Sequence, residues 1–226
     1  MKIIKLITAA ALIAATALIA PSGDAAAGGD IMDSVMFFGD STTAHLSVRG
    51  GIPKERVWSG EGSTMLFTSV NDRSVKIGGE LMSLAEAAAR YRPKILVITV
   101  GASGGAGFLR EDRFKSIYKK MLDGVRIASP ETKIIVQSIY PLSDKSKKYY
   151  KKLTKQAVET ANGWIKDVCR ECGVPYLDAH SVLADESGYL RPEYQNDEYL
   201  HLTAAAYKAI LYNLKSYLTM HKDIYN

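Results

Sequence analysis

The sequence predicts an α/β fold, a three-layer α/β/α sandwich around a five-stranded, mostly parallel sheet. Three observations predict it. Short continuous apolar runs alternate with amphipathic segments, the joints between them are rich in Gly, Pro, Asp and Ser, and the apolar runs are continuous rather than alternating. Continuous runs mean strands buried on both faces, the pattern of a parallel sheet covered by helices.

The first segment stands apart from that pattern. Lys2 and Lys5 precede an apolar, Ala-rich run from Leu6 to Ala20, Pro21 breaks it, and Ala25-Ala26-Ala27 offers a small-x-small cleavage site. This is the pattern of a secretory signal, expected to be removed after Ala27, so the domain is 28–226. A run of 15 residues is short for a membrane anchor, since a span needs about 20. An exported chain without stable membrane insertion follows.

Ser34–Phe38 reads as the first buried strand, and a weaker one surrounds Val57-Trp58. Strong strands follow at Lys94–Val100 and Lys133–Ile139, with a last one at Val174–Asp178. Helical patterns lie between them at about 79–91, 111–128, 148–172 and 203–220. No internal repeat, low-complexity tract or linker interrupts 31–226.

Composition narrows the function classes. The chain has 226 residues, 47% hydrophobic and 23% charged, which excludes disordered, collagenous and disulfide-scaffold classes. A net charge of +5 is too mild and dispersed to argue for nucleic acid. Cys169 and Cys172 form a C-x-x-C near the end of a predicted helix; without two further ligands at matching spacing they read as a local disulfide or idle thiols, not zinc.

In a sheet of this kind the ligand site lies beyond the carboxyl ends of the strands. Those ends carry Gly39-Asp40-Ser41-Thr42-Thr43, Ser59-Gly60-Glu61-Gly62 and Gly101-Ala102-Ser103-Gly104-Gly105, and a late loop carries Asn196-Asp197-Glu198-Tyr199-Leu200-His201. A serine attacks an ester when a base takes its proton, a third group orients that base, and donors meet the oxyanion. Ser41 can be the nucleophile and His201 the base. Glu198 and Asp197, three and four residues before His201, are both placed to orient it. Gly60 or Gly62 lets a backbone N–H approach the substrate oxygen closely.

Phe38-Gly39-Asp40-Ser41 at the first strand, the late acid-x-x-His-Leu-Thr element and the strand order resemble the SGNH/GDSL hydrolase family, over nearly all of 31–226. The resemblance implies a flavodoxin-like sheet, Ser41 as nucleophile with its own N–H in the oxyanion hole, a glycine after the second strand as a further donor, and His201 as base. Gly60 fits that glycine slightly better than Gly62 because it follows the strand more directly. Two positions depart from the family pattern. The usual block-three Asn is Ser103, a shorter donor, and the usual Asp three residues before the His is Glu198, with Asp197 beside it.

Gly101-Ala102-Ser103-Gly104-Gly105 also satisfies a Gly-x-Ser-x-Gly nucleophile elbow, but the following glycines oppose the helix that such an elbow requires. Among the remaining residues, His45 is expected to line the cleft or support it from behind, His180 to cap or pack, and His221 to sit in a frayed end. Lys145, Lys147, Lys148, Lys151, Lys152 and Lys155 read as a solvated helix face, with attraction to an anionic cell-wall polymer as their functional alternative; Tyr149 and Tyr150 read as packing residues rather than sugar platforms, and Trp58 as a substrate contact beside the oxyanion glycine.

The expected function is a secreted serine ester hydrolase working through an acyl-serine intermediate, with no cofactor or metal. With no long apolar lid segment, the ester is expected to carry a small acyl group, acetyl, on a carbohydrate. Lipid esters, acyl transfer to a glycan, and a non-catalytic carbohydrate-binding module are the competing readings.

Overall fold

The computed structural model describes residues 30–59 and 66–225. The expected signal segment 1–27 and both candidate glycines, Gly60 and Gly62, lie outside them.

The strands in chain order are β1 (Val35–Gly39), β2 (Val57–Trp58), β3 (Val75–Ile77), β4 (Glu80–Met82), β5 (Ile95–Thr99), β6 (Lys133–Gln137) and β7 (Tyr176–Leu177). Five of them form a parallel sheet in the order β2-β1-β5-β6-β7, with Phe38 paired to Trp58 on one side and to Ile98 on the other. The central strand β5 is buried along its whole length. Its side chains serve two cores in alternation, because successive residues of a strand point to opposite faces. Leu96 and Ile98 join one apolar cluster with Phe38, Phe114 and Ile165, while Ile95 and Val97 join the other with Phe37, Leu46 and Ile210.

Helices cover both faces. α1 (Ser41–Ala44) and α2 (Leu46–Arg49) follow β1, and α3 (Leu84–Tyr91), α4 (Glu111–Ala128) and α5 (Lys155–Cys172) cover the first core. α6 (His180–Leu183), α7 (Ala204–Met220) and α8 (Lys222–Tyr225) contribute to the second. Each fully buried Leu, Ile, Val or Phe contributes about 1.5–3 kcal/mol relative to exposure, so the shared central sheet is what makes the two cores one domain.

Two expected helices begin later than their sequence patterns suggest. The segment expected to be helical from about 79 opens with a hairpin, β3 paired antiparallel to β4 across Gly78-Gly79, both at positive φ. That two-residue glycine turn is the hairpin signal that helical periodicity hid. α3 then starts at Leu84, behind a capping box in which Ser83 and Glu86 exchange hydrogen bonds. The last long crossover helix starts at Lys155 rather than near 148, capped by the Thr154 hydroxyl, and a 3-10 helix at Asp144–Lys148 precedes it. The lysine cluster is therefore not the face of one helix: Lys145, Lys147 and Lys148 lie on the 3-10 helix, Lys151 and Lys152 on the connection after it, and Lys155 on α5.

Candidate active site

β1 delivers Ser41 through a turn with little freedom. A Cβ added to Gly39 would sit 2.0 Å from the Thr43 Oγ1 and 2.4 Å from the Thr99 carbonyl oxygen, so only glycine lets the chain pass between β5 and α1. Asp40 follows as the N-cap of α1, its carboxylate accepting from the Thr42 N–H at 3.1 Å and the Thr42 hydroxyl at 2.8 Å. The same buried carboxylate accepts from the Ser103 N–H, which ties the loop after β5 to the nucleophile turn. Burial pushes the Asp40 pKa up, while these donors and the nearby His201 charge oppose the rise. Ser41 thus occupies the first turn of a helix, half-buried, at the carboxyl end of β1.

The tertiary structure holds that turn from the other side through Tyr207 on α7, whose hydroxyl donates to the Thr42 carbonyl at 2.6 Å. Burial pushes this phenol's pKa well up, which keeps it a donor. Nothing in the local sequence around Tyr207 marks this role.

His201 sits in a loop closed by a bridge between Gln195 and Leu202 and by the Asn196 N–H donating to the His201 carbonyl at 3.0 Å. Asp197 organises it. One carboxylate oxygen accepts from the N–H groups of Tyr199 (2.8 Å) and His201 (3.2 Å), and the other meets His201 Nδ1 in a close hydrogen bond. Burial alone would raise the Asp197 pKa, but those hydrogen bonds and the His201 charge outweigh it and hold the carboxyl below its ordinary value. An ionised Asp197 accepting from Nδ1 leaves Nε2 as the basic nitrogen.

Glu198 is turned elsewhere, which corrects the preference for it over Asp197. Its carboxylate accepts from the Tyr149 hydroxyl at 2.5 Å and lies 3.6 and 4.0 Å from the ammonium groups of Lys145 and Lys148. The tight turn from Asp197 to His201 sends one acid inward onto the imidazole and its neighbour outward.

His45 brings the two halves together. One helical turn after Ser41, its ring packs against that of His201 at 4.8 Å between centroids, tilted by 55°. Burial first, then the charges of His201 and Arg49, lowers its pKa, against the opposing charge of Asp197. The Asp197–His201 pair consequently lies over the helix that Ser41 starts.

Ser103 stands at the third strand end in the place expected. Its N–H serves Asp40, its carbonyl accepts from the Phe67 N–H at 2.7 Å, and its side chain is half-buried. Residues 102–108 form turns and the next helix begins at Glu111, so no helix follows Ser103 as a nucleophile elbow would need. A cavity of about 10 Å³, room for roughly one water, opens beneath the turn among Asp40, Thr42, Val100, Ala102, Ile139 and Leu200. Asn162 on α5 frames it by exchanging hydrogen bonds with the backbone of Ile139 at 2.8 and 3.0 Å. Trp58, at 2% exposure, packs in the core against Tyr91 and does not reach the cleft as expected.

Cys169 and Cys172 are free thiols, and burial pushes Cys169 up to about 12. His180 starts α6, its N–H donating to the Ser138 hydroxyl, and His221 caps the end of α7 with Nδ1 at the Tyr217 carbonyl. Among the described residues no cluster of His, Cys, Asp and Glu could hold a metal ion, and no helix is long and apolar enough to cross a membrane.

A strand–turn–helix serine at one sheet end, faced by an Asp–His pair from a late loop, defines a serine hydrolase of the flavodoxin-like type. Residues 37–209 match the model of the GDSL-like Lipase/Acylhydrolase family, and the chain belongs to that family. Among solved structures it is similar to a GDSL-like lipase from Bacteroides thetaiotaomicron, with TM-score 0.64 and 17% identity over 83% of this chain and 88% of that one. It is also similar to a carbohydrate esterase of family 3 from Talaromyces cellulolyticus, with TM-score 0.55 and 18% identity over 84% and 98%. The OSK domain of Drosophila Oskar has TM-score 0.52 and 14% identity over 80% and 86%. At such identities the likeness is one of fold. No curated protein matches the chain.

Proposed function

We propose that this serine ester hydrolase is exported and removes a small acyl group, acetyl, from a carbohydrate through an acyl-serine intermediate. The observation that carries the mechanism is the packing of His45, one turn after Ser41, against His201, which itself is held by Asp197. In the first step His201 Nε2 takes the Ser41 proton as Oγ bonds to the ester carbonyl carbon. The resulting oxyanion is met by the Ser41 N–H, by Ser103 and by a glycine of the segment after β2, Gly60 or Gly62. The imidazolium then protonates the leaving alkoxide and the C–O bond breaks. Water, deprotonated by His201, then attacks the acyl-serine carbonyl carbon; the acyl C–Oγ bond breaks, the imidazolium returns its proton to Ser41 Oγ, and acetate leaves.

The small acyl group is supported by the cavity beneath the nucleophile turn, which holds about 10 Å³ and is lined by Val100, Ala102, Ile139 and Leu200. The carbohydrate is supported by the similarity to a carbohydrate esterase and by tyrosines beside the base. Export rests on the segment before Ala27.

Fluorophosphonate labelling tests the mechanism. Labelling that is lost in Ser41→Ala and retained in Ser103→Ala supports it, together with loss of p-nitrophenyl acetate hydrolysis in the Ser41 variant; the reverse pattern overturns both the nucleophile and the assignment of the base. Acetate release from acetylated xylan against butyrate release from a tributyryl ester tests the acyl group.

A further inference from the structure

The lysine-rich segment expected to be a plain solvated helix face lies along the rim of the site. Its two ends touch two of the loops that build the active centre. On one side the Ser143 N–H donates to the Tyr199 carbonyl at 3.1 Å, the Tyr149 hydroxyl donates to Glu198, and the Tyr149 and Tyr199 rings lie 4.1 Å apart. Tyr199 and Glu198 are within three residues of His201. On the other side the Lys152 carbonyl abuts Gly107, where a Cβ would approach it to 2.0 Å, and the Lys152 ammonium lies 5.7 Å from the Phe108 ring. Gly107 and Phe108 belong to the loop that begins at Gly101 and carries Ser103.

Charges and rings alternate along this rim. Lys145 and Lys148 share Glu198, and Lys155 pairs with Glu159 at 3.0 Å. Lys147, Lys151 and Lys152 are exposed and have no carboxylate partner among the described residues. Tyr149 is 37% exposed, its ring packed against the half-buried Tyr199 and lying 5.2 Å from the Lys148 ammonium, so what it offers a ligand is a ring edge and a neighbouring charge. The Lys147 ammonium lies 5.5 Å from the Tyr189 ring and that of Lys152 beside Phe108, so three cations without a carboxylate partner are spread along one short segment, a local positive field that favours an anion.

We propose that this rim is the subsite for the acceptor, and that the acceptor is an anionic glycan, a chain of sugar rings bearing carboxylate or phosphate groups. The proposal rests on the carbohydrate esterase reading for its substrate, and its own content is the negative charge. Sugar rings lie along the exposed edge of Tyr149 while the acidic groups meet Lys147, Lys151 and Lys152. The ester is thereby held between the loop of His201 and the loop of Ser103.

The test measures binding by the full chain carrying Ser41→Ala, so that turnover does not intervene. The probes are polygalacturonate for carboxylate, a glycerol-phosphate polymer for phosphate, and neutral galactan, each at low and high salt. At least one polyanion should bind about tenfold more tightly than galactan, and Lys147→Glu with Lys151→Glu and Lys152→Glu should weaken it about tenfold, as should salt. The two polyanions separate the sources of charge. The milder Lys→Gln set should show the same order with an unchanged melting temperature. Binding of galactan as tight as of both polyanions, no binding of either polyanion, or equal polyanion binding by the charge-reversed chain overturns the proposal. Failure of the rim shows as lost polyanion preference with Ser41 labelling intact in the parent chain; failure of the esterase reading shows as lost labelling with the preference intact.

Discussion

The turn that carries Ser41 and the loop that carries His201 are held by different means. Gly39 to Thr43 is fixed by steric exclusion and local capping: a glycine that admits no Cβ, and an Asp that caps the helix starting one residue later. Asn196 to Leu202 is fixed by one carboxylate, Asp197, which gathers two backbone N–H groups and the imidazole. Ser41 is therefore placed by what the chain cannot do otherwise, and His201 by hydrogen bonds that one substitution removes. The difference teaches that the family's Gly-Asp-Ser is a backbone requirement as much as a chemical one.

The sharpest way to break the comparison is at Asp197. Asp197→Asn keeps the size but offers Nδ1 an amide, favouring the wrong tautomer, and should lower turnover on a small acetyl ester by about 10⁴-fold. A loss below about tenfold, read in the same kinetic assay, would show that the base is oriented by something else. Next is Gly39→Ala, which should cost about 3 kcal/mol of stability because the methyl overlaps backbone as well as side chain. Urea denaturation checks it, and a midpoint unchanged from the parent would mean that β1 and β5 can move apart freely.

A smaller effect is expected at Ser103, whose backbone is pinned by Asp40 and Phe67 while its side chain is a short donor. Ser103→Asn should raise turnover about tenfold, roughly 1.4 kcal/mol of transition-state stabilisation, with little change in KM. Unchanged or lower turnover in a folded variant would indicate a loop shaped around serine. The smallest effect belongs to Glu198. Glu198→Gln should change turnover on the small ester by no more than about twofold, as exposed substitutions do, in contrast to its neighbour. A loss comparable to that of Asp197→Asn would reverse the assignment of the two acids.

Most of the sheet was legible in the sequence because a strand buried on both faces must be continuously apolar, and β1, β5 and β6 announce themselves in that way. The hairpin of β3 and β4 was not, since three-residue strands are too short for a period to emerge, although Gly78-Gly79 signalled the turn. Around the proposed site, Ser41 and Ser103 were placed by position after β1 and β5 and His201 by the late acid-x-x-His motif, and the structure puts Ser41 and Ser103 at those strand ends and His201 in that loop. Asp197 and Glu198 were both legible as candidates, and sequence spacing could not choose between them.

The sequence by itself determined the strand–helix alternation, the family and the Gly-Asp-Ser turn, because these depend on periodicity and on local steric limits that travel with the residues. Only the tertiary structure decided which of two adjacent acids faces His201, that Tyr207 holds the Ser41 turn from 165 residues away, and that the lysines are divided between a 3-10 helix, a connection and α5 rather than sharing one helix face. Each of these depends on the direction of a side chain relative to a distant loop. Neighbours in sequence share composition but diverge in direction, so a one-residue difference that spacing barely registers becomes, once the loop closes, the difference between the base and the solvent.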